Sequence, residues 1–227
     1  IKRVEKFCFK NCDTLIFLSD EMKNVASNIY NIPKEKCQVQ YPFTTIKDQP
    51  SSDHLKNILP KHQFNIVYSG ALGEKQNPFK LLDIYEFISN NISNTICYFF
   101  SQGPIYEELK KKNTNKKIRF YPLVKKDQIQ ELYTRSTIQI VPQLPNTSSG
   151  SLPSKIPNIL ASGAKILVIT DKNSELEQLF TEYKLQKVIT SWDKHIIELS
   201  IRTLLNQEID LNKQKRIAQK LFNIDSL

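Results

Sequence analysis

From Phe64 onward, short apolar runs alternate with longer stretches in which apolar residues return every three or four positions. The runs Phe64–Tyr68, Thr95–Phe100, Ile118–Phe120, Ile138–Val141, Lys165–Thr170 and Gln186–Ile189 have the length and continuity of buried strands. Between them, Pro78–Asn90, Pro104–Lys112, Asp127–Thr134, Ser154–Ser162 and Ser174–Glu182 read as helices. Leu81, Leu82, Tyr85 and Ile88 share one helical face, as do Ile129, Leu132 and Tyr133. Trp192–Asn206 and Leu211–Phe222 close the chain as two further helices. Strands that alternate with helices of this length call for β-α-β crossovers, so the prediction is an α/β, Rossmann-like, doubly wound parallel sheet.

The amino-terminal segment repeats the pattern on a smaller scale. Val4 to Cys12 suits a helix, and Thr14–Leu18 is a buried-strand run. Ser19-Asp20 offers an N-cap to a helix from Met22 to Tyr30, Asn31-Ile32-Pro33 ends it, and Cys37–Tyr41 reads as a strand. Pro42, Pro50, Ser51, Ser52, Asp53 and Pro60 then mark a polar stretch. The expected division is residues 1–43, a linker over 44–62, and a main domain over 63–227.

The chain has 227 residues, 40% of them apolar and 24% charged. Collagen-like and disordered classes are excluded, and two full nucleotide-binding-sized lobes do not fit. A first residue that is not Met fits a fragment or a processed product. The net charge is +9, concentrated at Lys110, Lys111, Lys112, Lys116, Lys117, Lys125 and Lys126. A solvated helix end accounts for such a cluster, and so does an anionic partner: nucleic acid, an acidic membrane surface or a phosphorylated ligand. Cys8, Cys12, Cys37 and Cys97 lack the second close pair of a tetrahedral zinc site and read as reduced thiols. His54, His62 and His195 stand apart from any Cys, Ser or carboxylate motif. No membrane-length apolar run and no signal peptide are visible, so the expected location is the cytoplasm.

In an open parallel sheet, ligands bind beyond the carboxyl ends of the strands. After the first main strand comes Ser69-Gly70-Ala71-Leu72-Gly73-Glu74-Lys75-Gln76-Asn77. Its glycines permit close backbone approach, Lys75 brings a point charge, and the following helix favours an anion. A plain tight turn is the competing reading, since the spacing fits neither the dinucleotide fingerprint nor the P-loop. The loop from Pro142 to Lys155 is long and polar and feeds a helix with Pro157 in its first turn, where free amides of Ser154 and Lys155 would face an anion. An ordinary surface excursion is the alternative there. Ser101-Gln102-Gly103-Pro104 and Tyr121-Pro122-Leu123 follow the next two strands and are placed to line a base or ribose pocket.

Taken together, Asn65–Gln76, Ile118–Leu123 and above all Leu152-Pro153-Ser154-Lys155-Ile156-Pro157-Asn158-Ile159-Leu160-Ala161-Ser162-Gly163 resemble bacterial glycosyltransferases of family 4, which have the GT-B fold. The Pro-Ser-Lys form is similar to members that build exopolysaccharide, capsule and lipopolysaccharide sugars. Cys12–Ser19 and Pro33–Val39 look like the end of that family's amino-terminal lobe.

The resemblance implies the carboxyl-terminal, nucleotide-sugar-binding lobe of a retaining enzyme, with residues 1–43 a remnant of the acceptor lobe and little activity alone. It implies that Gly70, Gly73, Lys75, Ser154 and Lys155 meet the donor diphosphate, while Gly103, Leu123 and Asn158 serve base, ribose or sugar. No catalytic residue is assigned. No metal or other cofactor is expected if Lys75 and the helix dipole carry the charge. The implied partners are a nucleotide sugar, a glycan or lipid-linked acceptor and a peripheral contact with the inner face of an anionic membrane, with no nucleic acid. Many members carry two glutamates seven residues apart where this chain has Gly150 and Asn158, and a basic residue where it has Ala71. Two readings stand beside this one: a basic module binding nucleic acid or anionic membrane, and an inactive relative.

Overall fold

The computed structural model describes residues 2–46, 53–148 and 152–223. The amino-terminal segment forms a small unit of α1 (Lys2–Asn11), β1 (Leu15–Phe17), α2 (Asp20–Tyr30) and β2 (Cys37–Val39). β1 and β2 pair in parallel, with Leu15 opposite Cys37. Ser19 starts α2 by accepting a hydrogen bond from the Met22 amide, and Asn31, at φ 51°, ends it in the left-handed conformation. Leu15, Phe17 and Ile32 form a minor core against Phe9, Met22 and Tyr30.

The six predicted main-domain runs become β3 (Phe64–Ser69), β4 (Thr95–Phe100), β5 (Ile118–Tyr121), β6 (Ile138–Pro142), β7 (Ile166–Ile169) and β8 (Lys187–Ile189). They build one parallel sheet in the order β5-β4-β3-β6-β7-β8. Chain order therefore reverses between β3 and β6, the arrangement of a doubly wound nucleotide-binding sheet. The crossovers are α3 (Pro78–Asn91), α4 (Pro104–Lys112), α5 (Ile129–Arg135), α6 (Ile156–Ser162) and α7 (Glu175–Glu182), followed by α8 (Lys194–Asn206) and α9 (Leu211–Leu221).

Successive strand residues serve opposite faces, which is why the runs are apolar throughout. Ile66, Tyr68, Phe99, Leu167 and Ile169 pack with Leu81, Tyr85 and Ile88 of α3 and Ile197 and Ile201 of α8. Val67, Tyr98, Phe100, Val141 and Val168 pack on the other face with Leu132, Ile159, Leu160, Phe180 and Phe222. Gly163 ends α6 at φ +76°, and a Cβ there would lie 3.0 Å from Cε of Lys215 on α9. Backbone conformation and close helix packing both require glycine at that point.

The stretch read as a polar linker enters the core. Leu55 and Leu59 are 5% and 0% exposed. The Leu55 amide donates to Oε1 of buried Glu131 at 3.0 Å, and Arg135 pairs with that carboxylate at 2.6 Å. The apolar positions 55, 58 and 59 share a helical-turn face, a short signal that the surrounding prolines and serines conceal.

Several contacts join the small unit and the stretch after it to the sheet domain. Glu175, in the first turn of α7, accepts the amides of Asp20 and Glu21 at 2.8 Å each and the Tyr41 hydroxyl at 2.8 Å. The Thr44 amide donates to the Phe222 carbonyl at 3.1 Å.

Candidate functional site

The reversal between β3 and β6 opens a crevice at the carboxyl ends of these strands, where the loops after Ser69 and Pro142 diverge. A cavity of about 380 Å³ lies there, lined by Tyr68, Gly70, Phe100, Leu123, Ser154 and Lys155 among others. A smaller one of about 100 Å³ is lined by Lys75, Gln143, Thr147 and again Lys155. Lys155 thus lines both. Among the described residues no carboxylate lines either cavity.

The floor is a buried polar network. Ser69 Oγ donates to Gln139 Oε1 at 3.1 Å, Gln139 Nε2 to Ser136 Oγ at 2.8 Å, and Ser136 Oγ to the Leu132 carbonyl at 2.6 Å. Tyr133 hydrogen-bonds Ser69, and burial pushes its hydroxyl up to about 12. Tyr68 donates to the Ala71 carbonyl at 2.6 Å and tightens the turn. A satisfied network of this kind fixes the loop backbone where a ligand approaches.

Gly70 sits at φ +126°, a conformation that side chains rarely adopt. Its amide donates to the Phe100 carbonyl at 3.0 Å, and its carbonyl accepts from Ser101 Oγ at 2.7 Å. The backbone at Gly73 is extended, and its amide donates to Gln76 Oε1 at 2.9 Å. The Gly70 amide is thus satisfied by β4 and the Gly73 amide within the loop.

Lys155 reaches the same turn with its side chain. Its Nζ donates to the Ser69 carbonyl at 2.8 Å and lies 4.2 Å from the Tyr68 ring centroid. Burial away from any balancing carboxylate pushes its pKa down to about 7. Sequence reasoning assigned only the backbone of this residue; the side chain is the feature it missed. Helix α6 begins at Ile156 rather than at Ser154, so residues 154 and 155 form the turn leading into it.

Lys75 is exposed, and its carbonyl accepts the Leu144 amide at 2.7 Å, tying the two loops together. Asp171, after β7, accepts the Asn146 amide at 2.9 Å and both the amide and hydroxyl of Ser148 at 3.2 and 2.6 Å. Burial opposes its ionisation, yet these hydrogen bonds hold its pKa below the ordinary carboxylate range.

The structure brings Gly70, Leu123, Ser154 and Lys155 to the larger cavity and Lys75 with Lys155 to the smaller. Gly73 and Gly103 line neither. Gly103 opens α4 at φ +103° with nothing within 4 Å of an added Cβ. Asn158 turns toward the polar stretch: its Oδ1 accepts the amides of Thr45 and Ile46 at 2.7 and 3.1 Å. Gly150 lies outside the described residues.

Lys125 and Lys126 follow β5 at its carboxyl end, but the denser part of the lysine cluster lies elsewhere. Lys110, Lys111 and Lys112 end α4, and Lys117 immediately precedes β5, so they occupy the amino ends of the strands, opposite the crevice. Lys112 pairs with Glu108 at 3.2 Å, and Lys117 donates to the Ser89 carbonyl at 2.9 Å. Among the described residues no three His, Cys, Asp or Glu side chains converge as a metal-binding group. No helix among them is long and apolar enough to cross a membrane.

No protein-family profile matches the chain. A protein of Escherichia coli (strain K12) assigned as a colanic acid biosynthesis glycosyl transferase, WcaI, is 30% identical over 132 residues, which is 56% of this chain and 32% of that protein. The chain therefore spans about a third of the curated relative it matches. Among solved structures, a sucrose-phosphate synthase from Thermosynechococcus elongatus superposes with a TM-score of 0.72 at 14% identity, covering 98% of this chain and 57% of that one. WaaG, a glycosyltransferase involved in lipopolysaccharide biosynthesis, gives 0.67 at 14% identity over 92% of this chain and 63% of its own. S. aureus TarM, solved with UDP, gives 0.69 at 12% identity over 97% of this chain and 43% of its own. In fold, the chain is a Rossmann-like α/β domain of the kind found in GT-B glycosyltransferases, and it resembles those that build cell-surface polysaccharides.

Proposed function

We propose that residues 63–227 form the donor-binding lobe of a retaining glycosyltransferase that takes sugar from a nucleotide-diphosphate sugar to a glycan or lipid-linked acceptor in cell-surface polysaccharide synthesis. The observation that carries this is the crevice itself. An ammonium with no carboxylate beside it among the described residues, a second lysine and an apolar wall of Leu123, Val124 and Phe100 meet at the switch point of a doubly wound sheet. The cations suit a diphosphate, and the apolar wall suits a base.

In the transfer, negative charge grows on the departing diphosphate as the bond from the sugar carbon to its oxygen breaks. Lys75 and the turn at Ser154-Lys155 stabilise that charge, positive groups placed where negative charge develops. The charge these groups supply removes the need for a metal. Residues 1–43 belong, in this reading, to the acceptor side. The lysines at the far end of the sheet are the surface assigned to an anionic membrane, where a lipid-linked acceptor resides.

Calorimetric titration of the chain with UDP- and GDP-sugars tests the donor assignment. Lys75→Ala is expected to weaken binding by about 1–3 kcal/mol, the range of a charge-assisted contact. No measurable affinity for any nucleotide-diphosphate sugar would remove the reading; unchanged affinity in the variant would remove Lys75 from the site.

A further inference from the structure

We infer that the Lys155 ammonium, rather than its backbone amide, is the cation that meets the donor diphosphate, delivered from the β6–α6 loop to the position beside Gly70 where Ala71 offers no charge. This deepens, and rests on, the donor reading of the crevice.

The geometry supports it from three sides. Nζ reaches across the sheet's switch point to the Ser69 carbonyl at 2.8 Å. A Cβ placed on Gly70 would lie 3.7 Å from Nζ, so the ammonium touches the turn that the missing basic side chain would follow. Lys155 also lines both cavities, one shared with Lys75 and one with the apolar wall. A carbonyl and an aromatic face satisfy part of an ammonium's capacity, and neither neutralises it. The remaining need is an anion.

Among the described residues, the titratable and charged groups facing Lys155 are Tyr68 on β3, Tyr133 on α5 and Lys75 in the turn before α3. None supplies a negative charge near neutral pH: both phenols are pushed upward by burial, and Lys75 is basic. With its own pKa depressed to about 7, Lys155 is mostly neutral in the empty protein above that pH. An arriving diphosphate favours the charged form, so binding takes up a proton.

The test is calorimetry of the full chain with UDP-glucose and GDP-mannose at pH 8, in buffers of differing ionisation enthalpy. These probes carry no phosphate group that titrates near that pH. Wild-type protein should take up roughly 0.8 proton per donor bound, and its affinity should rise about 20-fold from pH 8.5 to 6.5. Lys155→Met should lose the uptake and bind roughly 10- to 100-fold more weakly, while its weak affinity for the uncharged nucleoside stays that of wild type. Lys155→Arg, checked for folding by its melting curve, should bind without proton uptake, and Lys75→Ala should bind less tightly with uptake intact.

Donor binding with no proton uptake, or with uptake that persists in Lys155→Met, would overturn the inference and leave the donor reading standing. If neither sugar nucleotide binds, the donor reading falls. Inorganic pyrophosphate then decides the inference alone: affinity at least tenfold weaker in Lys155→Met upholds it, and equal or absent binding overturns it.

Discussion

Glu175 holds the two sheets of this molecule together, and its removal is calculable. The carboxylate accepts the first two amides of α2 at 2.8 Å each, a cap supplied from a helix more than 150 residues later in the chain, and it also accepts the half-buried Tyr41 hydroxyl. Substituting alanine strands three donors. Each backbone amide at a helix start is worth about 1 kcal/mol when capped. The phenol adds about 1 kcal/mol at most, because Asp20 remains as a second acceptor at 3.3 Å. Glu175→Ala should therefore cost about 2–3 kcal/mol, which is a fall in Tm of about 4–10 °C for a chain of this size. Glu175→Gln keeps one acceptor oxygen and should lose roughly half as much.

Hydrogen exchange gives the local readout. The amides of Asp20 and Glu21 should lose protection in both variants, while those of β3 and β4 keep theirs at low denaturant. Two results would refute the reasoning: unchanged protection of α2 in Glu175→Ala, or a Gln variant as unstable as the Ala one. The first would mean that the cap is not made in solution; the second would mean that charge, rather than hydrogen bonding, joins the units.

Other outcomes follow from single residues. Lys155 should contribute a stability that rises with pH, because between about pH 7 and its unfolded value near 10.5 the unfolded chain binds a proton that the native one does not. Lys155→Met should abolish that slope and raise Tm at pH 6; a lower Tm there, with the slope intact, would contradict the burial argument. Gly70→Ala forces a side chain into φ +126° beside Nζ of Lys155, so urea titration should show a loss of about 1–3 kcal/mol. Phe222, 2% exposed under the Val141 and Val168 face of the sheet, should cost about 3–5 kcal/mol on truncation to alanine, measured the same way.

Much of the architecture was legible because the local signals agree. The run Thr95–Phe100 and the stretch Pro104–Lys112 appear in the structure with the bounds that periodicity and Pro at the helix start dictate. Ser19 and Ser174 cap α2 and α7 through their side chains, as short polar residues ahead of apolar periodic segments do. Strand order was not legible, since it depends on which crossover turns back, and no local pattern encodes that. Leu55 and Leu59 were hidden because one apolar helical turn is too short a signal within a Pro- and Ser-rich stretch.

The crevice was legible as loops and illegible as contacts. Glycines and lysines after Ser69 and Pro142 pointed to the carboxyl end of the sheet, where the two cavities lie. Which atoms face the ligand depends on pairings that no spacing reveals: the Gly73 amide turns to Gln76, Asn158 to Thr45, and the Lys155 side chain to Ser69. The densest lysines follow from the last turn of α4, where they suit the helix dipole, and lie at the amino ends of the strands, away from the crevice.

The most direct test of the central claim is a crystal structure of this chain soaked with UDP-glucose or GDP-mannose. The account predicts diphosphate density at the carboxyl ends of β3 and β6, within hydrogen-bonding distance of Lys155 Nζ, with the base against Leu123. Diphosphate bound instead beside Lys110–Lys117, at the amino ends of the strands, would contradict it.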